Sequence, residues 1–188
     1  MVRPGRDRLA GTIEVAETFI GGERPGKRGR GAAGKTLVVI AAQADGPRIG
    51  HIRLARVASA SGNHWEAAVR QAVAPGSTVR TDGWGGYNGW HDLGYRHEVI
   101  RPPPAVGANL LPLANRVAAL WKRGLLGTHQ GAVQPEHLDY YLDEFTFRFN
   151  QRTSGSRGLL FYRLLDQAVH LPPLLTRTLK GGTNRSNP

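Results

Sequence analysis

The sequence predicts an α/β fold, a mixed β-sheet flanked by helices, and three observations lead there. Five short segments carry the apolar patterns of strands, and other segments repeat apolar residues at helical spacing. The order runs three strands, a helix, a strand, a short helix, a strand and then several helices. Such an order fits one sheet layered with helices.

Residues 1–11 are polar and basic and read as a flexible basic lead-in to a domain spanning 12–170. The first strand is TIEVAETFI, Thr12 to Ile20. The next segment, 21–35, holds five basic residues and six glycines, too little apolar content for a core, and reads as a flexible basic loop. TLVVIAAQAD, Thr36 to Asp45, is a mostly buried strand. Its hairpin partner lies in GPRIGHIRLARV, where Ile49, His51, Arg53 and Ala55 alternate with Gly50, Ile52, Leu54 and Arg56. A helix from about Asn63, capped by Ser61 or Asn63, sets Trp65, Ala68, Val69, Ala72 and Val73 on one face and ends at Pro75 and Gly76. STVRTDG is a short strand stopping at Asp82 and Gly83, WGGYNGWHDLGY holds the short helix, and YRHEVI is the last strand.

After the rigid break RPPPAVGAN, Val117, Leu120 and Trp121 space a helix that Gly124 or Gly127 could terminate. In QPEHLDYYLDEFTFRFN, Leu138, Leu142, Phe145 and Phe149 form one helical stripe, whereas Phe145, Phe147 and Phe149 alternate with Thr146 and Arg148 as a strand would. A helix through Phe145 is preferred and the remainder stays open. SRGLLFYRLLDQAVHL is a further helix, and residues 171–188 read as a loosely ordered tail.

The 188 residues suit one domain with a substantial core. With no cysteine, disulfides, thiolate catalysis and a zinc ribbon within these residues are excluded. No apolar run approaches membrane-spanning length and the first residues lack a signal-peptide core, so a cytoplasmic protein is expected. Lys and Arg number 25 against 14 Asp and Glu, a net charge of +11. Such an excess favours polyanions, which makes nucleic acid a candidate partner and nucleoid association the expected location, although the charge is dispersed rather than gathered in a stripe.

Asp82 ends a strand and precedes glycines, on the edge where open α/β sheets bind ligands. With a second carboxylate from the first strand it could hold two divalent ions; taken alone it is a turn aspartate. Glu14 and Glu17 cannot share a face of an unbulged strand; Glu14 shares that of Ala16, and both read as solvated strand-edge residues. No Asp or Glu occurs from Val99 to Pro135, so a third ligand there must be neutral, and Asn115 is the oxygen donor at hand or else a helix cap. Trp84, Tyr87 and Trp90 either stack on bases or pack a short helix. Lys122, Arg123, Arg148 and Arg152, with Lys27, Arg28 and Arg30 of the basic loop, are phosphate contacts or solvated surface charge. His64, His91, His97, His129 and His137 lack metal-ligand spacing, and Ser59 and Ser61 lack an identifiable base.

GTIEVAETFIGG, TDGWGGYNGW with GYRHEV, LWKRGLLGTHQGAVQPEHLDYYLDEFTFRFNQR and LFYRLLDQAV, in this order, resemble the catalytic domain of IS1595-type insertion-sequence transposases, the ISXO2-like transposase domain. The resemblance covers about residues 11 to 170. It implies an RNase H-like fold, Mg²⁺ or Mn²⁺ as cofactor in an active member, and cutting and joining of DNA element ends and target DNA, with assembly of copies on DNA. Asp82 falls on the second catalytic and metal-binding aspartate, and Asn115 is assigned to the variable third catalytic position. The first strand of the family reads approximately VDETYIGG, and its aspartate falls on Ala16. A methyl group binds no cation, and losing such a ligand costs roughly 3 to 5 kcal/mol of transition-state stabilisation, more than a hundredfold in rate. Glu14 would have to move about 6–7 Å along the strand to replace it. A degenerate copy is therefore expected, and the missing upstream zinc ribbon and DNA-end-binding region common in such proteins suits a truncated or frameshifted one.

Overall fold

The computed structural model describes residues 7–21, 35–59, 61–83, 93–101, 109–129 and 137–170. Five strands are found where the sequence predicts them: β1 (Thr12–Ile20), β2 (Thr36–Asp45), β3 (Arg48–Val57), β4 (Thr78–Thr81) and β5 (Arg96–Val99). They form one mixed sheet in the order β3-β2-β1-β4-β5. β2 runs antiparallel to both β1 and β3, while β4 is parallel to β1 and β5 is parallel to β4. Gly46, at φ +57°, turns the β2–β3 hairpin in a conformation that L side chains rarely adopt.

Strand alternation divides the core into two layers. On one face Ile13, Val15, Val39, Ala41 and Val79 pack against Trp65, Ala68, Val69 and Ala72 of helix α1 (Gly62–Ala72). On the other, Val38, Ile40, Ala42, Ile52 and Leu54 meet helices α2 (Pro112–His129) and α3 (Leu138–Asn150) through Val117, Trp121, Leu138 and Leu142. A fourth helix, α4 (Arg157–Val169), contributes no side chain to either cluster.

Two expectations are corrected and one left open in the sequence is decided. α2 starts earlier than its apolar spacing suggests and continues through Gly124 and Gly127, because buried Trp121 and Leu125 carry the packed stripe across the glycines. The end of α3 is helical throughout: Leu138, Leu142 and Thr146 are its buried face, and Phe149 lies one turn from Phe145 with ring centroids 5.9 Å apart. Asn150 completes it, accepting the Ile52 N–H at 2.8 Å and donating to the Ile52 carbonyl at 3.1 Å, so one amide side chain satisfies part of the exposed edge of β3. The lead-in is also tied down before β1. Leu9 is buried, donates to the Ala72 carbonyl and accepts from the Ala74 N–H, both at 2.8 Å.

Candidate functional site at the ends of the two central strands

β1 and β4 are parallel neighbours, with Thr12 opposite Thr78, Ile13 opposite Val79 and Glu14 opposite Arg80. The pairing ends at Glu14 and Arg80, two residues before Ala16 and Asp82 in their respective segments. Ala16 belongs to the face covered by α2 and α3, since it joins the cluster of Val38 and Ile40. Ala16 is 9% exposed and its methyl closes the margin of that core. Asp82 lies on the surface.

The backbone beyond Asp82 is narrowly constrained. Gly83 has φ +80°, and a Cβ there would come within 2.5 Å of Val99 Cγ1. Thr81, fully buried on the α1 side, shares a 2.8 Å hydrogen bond with His97 Nε2 and accepts a long one, 3.4 Å, from the Gly83 N–H. Burial holds the His97 imidazole below its usual value, which favours the neutral ring.

Glu14 overturns its reading as a solvated strand-edge residue. It is 6% exposed, and its Oε2 accepts the Leu113 N–H at 2.7 Å and the Ala114 N–H at 3.0 Å. The carboxylate thus caps α2, whose own cap position is Leu111, with no side-chain oxygen to satisfy the first amides. Burial pushes the Glu14 carboxyl above its usual range, while the amide bonds from Ala114 and Leu113 and the Arg80 guanidinium pull it partway back. The signal for this was present in the sequence: a helix opening Leu-Pro, without Ser, Thr, Asp or Asn at its cap, needs an acceptor from elsewhere.

Glu14 pins the first turn of α2 onto β1, two residues before Ala16. Asn115 follows directly in that turn, exposed, with its Nδ2 donating to Asn109 Oδ1 at 2.6 Å. The first turn of α2 is thus bound at Glu14, two residues before Ala16 on β1, and Asp82 directly follows the last residue of the neighbouring strand β4. Along α2, Lys122 and Arg123 are exposed, and Arg116, seven residues before Arg123, joins them on the side away from the core.

The other predicted phosphate contacts differ. Arg148 is exposed and bonds Glu144 at 3.3 Å. Arg152 lies past the end of α3, stacked 4.0 Å over the Phe149 ring, and donates to the carbonyls of Ile49, Gly50 and Phe149. Its guanidinium is spent on fastening α3 to β3. Lys27, Arg28 and Arg30, like Trp84, Tyr87 and Trp90, lie outside the described residues. His64 also differs from expectation, because its Nδ1 is 2.6 Å from Ser61 Oγ and 2.9 Å from Ser59 Oγ. This cluster binds the first turn of α1 to its cap residue, with both serines sharing one ring nitrogen.

Among the described residues no three His, Cys, Asp or Glu side chains gather as a metal site, and none of the described helices is long and apolar enough to cross a membrane.

The mixed sheet and its flanking helices define an RNase H-like fold. In fold the chain is similar to one in the cryo-EM structure of the simian T-cell lymphotropic virus intasome in complex with PP2A regulatory subunit B56 gamma, with TM-score 0.51 and 11% sequence identity. All of this chain and 59% of that one are covered, so it spans about three fifths of that neighbour's length. No curated protein matches the sequence. The family model of the ISXO2-like transposase domain matches residues 8–150, and the chain belongs to that family.

Proposed function

We propose that this chain is a transposase domain that engages DNA element ends and target DNA, with its metal-dependent strand cleavage and transfer impaired because Ala16 replaces the first catalytic aspartate. The observation that supports the proposal is that β1 and β4 are parallel neighbours, paired up to Glu14 and Arg80, two residues before Ala16 and Asp82. In this reading Asp82 is the remaining catalytic and metal-binding carboxylate, and Asn115 the third residue. Lys122 and Arg123, together with Arg116, meet the phosphate backbone, and Lys27, Arg28 and Arg30 extend that contact. Its place is in the cytoplasm, on the nucleoid. Assembly of copies on DNA belongs to the same proposal.

The residues present do not fit a two-ion site. A methyl at position 16 supplies no oxygen, and Glu14, the carboxylate closest in sequence on that face, is engaged by two amides of α2. No step through Mg²⁺ or Mn²⁺ is therefore derived. The same engagement weighs against an active enzyme that uses Glu14 as a displaced ligand, since withdrawing it would leave the buried Ala114 amide unsatisfied.

Strand transfer on oligonucleotides carrying the cognate ends, with Mg²⁺ or Mn²⁺, tests the proposal. Wild type is expected to bind DNA in a salt-sensitive manner and join little or none of it. Robust joining by the wild-type chain, abolished by Asp82→Ala, would overturn the impairment. Salt-sensitive binding with no joining even in Ala16→Asp would leave an inert DNA-binding remnant as the better description.

A further inference from the structure

Asp82 stands between two peptide planes, and both are tied down from the side of β5. The N–H of Ile100, directly after β5, donates to the Thr81 carbonyl at 2.8 Å and fixes the peptide before Asp82. The Gly83 N–H donates to Thr81 Oγ1 at 3.4 Å and restrains the peptide after it. Peptide units are planar, so holding one on each side of a Cα leaves φ and ψ of that residue little freedom, and these two angles aim its side chain. The second bond is long and serves only while the Thr81 hydroxyl is itself held. His97 Nε2, 2.8 Å away, holds it.

The direction of that last bond follows from the hydrogens at hand. A hydroxyl has one hydrogen to give and two lone pairs to receive. Thr81 is fully buried, and among the described residues His97 Nε2 is the one acceptor for its hydrogen. A protonated Nε2 would instead donate to Oγ1 and leave the hydroxyl hydrogen buried without an acceptor, an expensive arrangement. We propose that Thr81 and His97 are positioning residues for Asp82: a hydrogen-bond chain from the Gly83 N–H to Thr81 Oγ1, and from the Thr81 hydroxyl to Nε2 of an Nδ1-protonated His97, sets the direction in which the carboxylate is presented. That the carboxylate so aimed is a metal ligand rests on the function proposed above.

Nuclear magnetic resonance of the full-length wild-type chain at neutral pH tests the hydrogen-bond chain directly. The His97 ring is expected to carry its proton on Nδ1, and the Asp82 amide to be as ordered as that of Val79 in β4. Thr81→Ser keeps the hydroxyl and should keep both signatures. Thr81→Val keeps the shape and removes the hydroxyl, so Asp82 and Gly83 should become mobile while Val79 and Trp65 stay ordered. In the Ala16→Asp chain, Mn²⁺ affinity should be unchanged by Thr81→Ser and about ten- to a hundredfold lower with Thr81→Val, the usual effect of losing a group that orients a metal ligand. A wild-type ring protonated on Nε2, an Asp82 as ordered in Thr81→Val as in wild type, or equal Mn²⁺ affinity with and without Thr81→Val would each overturn the proposal. The resonance measurements need neither metal nor DNA, so they decide the hydrogen-bond chain even if Ala16→Asp binds no Mn²⁺, a result that would count against the functional reading alone.

Discussion

Glu14 lies within β1 and Asp82 directly follows the neighbouring strand β4, yet the surroundings of the two carboxylates are opposite. Glu14 is buried and accepts two amides from a helix 99 and 100 residues later in the chain. Asp82 lies on the surface beyond the last ladder residue of β4. The comparison shows that an acid's place in the strand pattern does not decide its role; what covers it does. At position 14 a helix end has been set over the carboxylate. At position 16 a methyl group joins the buried cluster of Val38 and Ile40.

Ala16→Asp would sharpen that contrast most. It is expected to raise Mn²⁺-dependent strand transfer by more than a hundredfold, the worth of roughly 3 to 5 kcal/mol in the transition state. It should also lower Tm in chelator, since a carboxylate would enter a position now 9% exposed, and Mn²⁺ should restore that loss. Wild type should show no such Mn²⁺ response. Equal Mn²⁺ shifts in the two proteins would show that position 16 is not where the ion is missed.

Glu14→Ala comes next, with an expected loss of roughly 2 to 3 kcal/mol in unfolding free energy, from a lost cap and a buried amide left unsatisfied. Glu14→Gln keeps an acceptor oxygen and should lose far less. The two proteins should also differ in pH dependence. Because the folded-state value of Glu14 lies above its ordinary 4.5, its contribution is fully present below about pH 4.5 and is lost as pH rises through the folded value. His97 has the opposite sign. Its folded-state value lies below 6.5, so its contribution is present above that pH and is lost as pH falls through the folded value. Denaturation across this range should show Glu14→Gln removing the first dependence and leaving the second. An unchanged profile would mean that the carboxylate is not the group titrating.

These residues also mark what the sequence discloses. Apolar runs and turn residues locate the five strands, and the period of two, a local property, tells that Glu14 and Ala16 share a face. It does not tell what lies over that face, because the amides of Leu113 and Ala114 come from a distant part of the chain. The family resemblance puts its catalytic aspartates at Ala16 and Asp82, and the fold makes the strands that lead to them parallel neighbours. The end of α3 stays ambiguous in sequence because phenylalanines at 145, 147 and 149 satisfy both periods. Packing of Thr146 and the Asn150 clasp on Ile52 decide it. Arg152 reads as a free surface charge until the carbonyls of β3 that it holds are known.

A smaller effect is expected at Gly83. Gly83→Ala should cost about 1 to 2 kcal/mol, the price of a side chain in the left-handed region. Displacement of the Val99 side chain adds to it, since the new Cβ would approach Val99 Cγ1 to 2.5 Å. Gly83→Ala combined with Val99→Ala should recover the part due to crowding and not the part due to φ. Full recovery would mean that the turn after Asp82 relaxes freely, and the aspartate would then be less narrowly held than Thr81 and His97 suggest.

The smallest expected effects separate the two kinds of arginine. Arg116→Ala, Lys122→Ala and Arg123→Ala should each lower the slope of log affinity against log salt by about 0.9, one phosphate contact apiece, with Tm unchanged. Arg152→Ala should do the reverse, lowering Tm through the lost Phe149 stacking and the freed carbonyls of Ile49 and Gly50 while leaving the salt slope alone. Arg148→Ala removes an exposed pair with Glu144 and should move neither measurement appreciably, because pairs of that kind contribute little. A salt slope that responds to Arg152 and not to α2 would transfer the DNA-facing surface to the β3 edge, and the basic side of α2 would then be solvated charge.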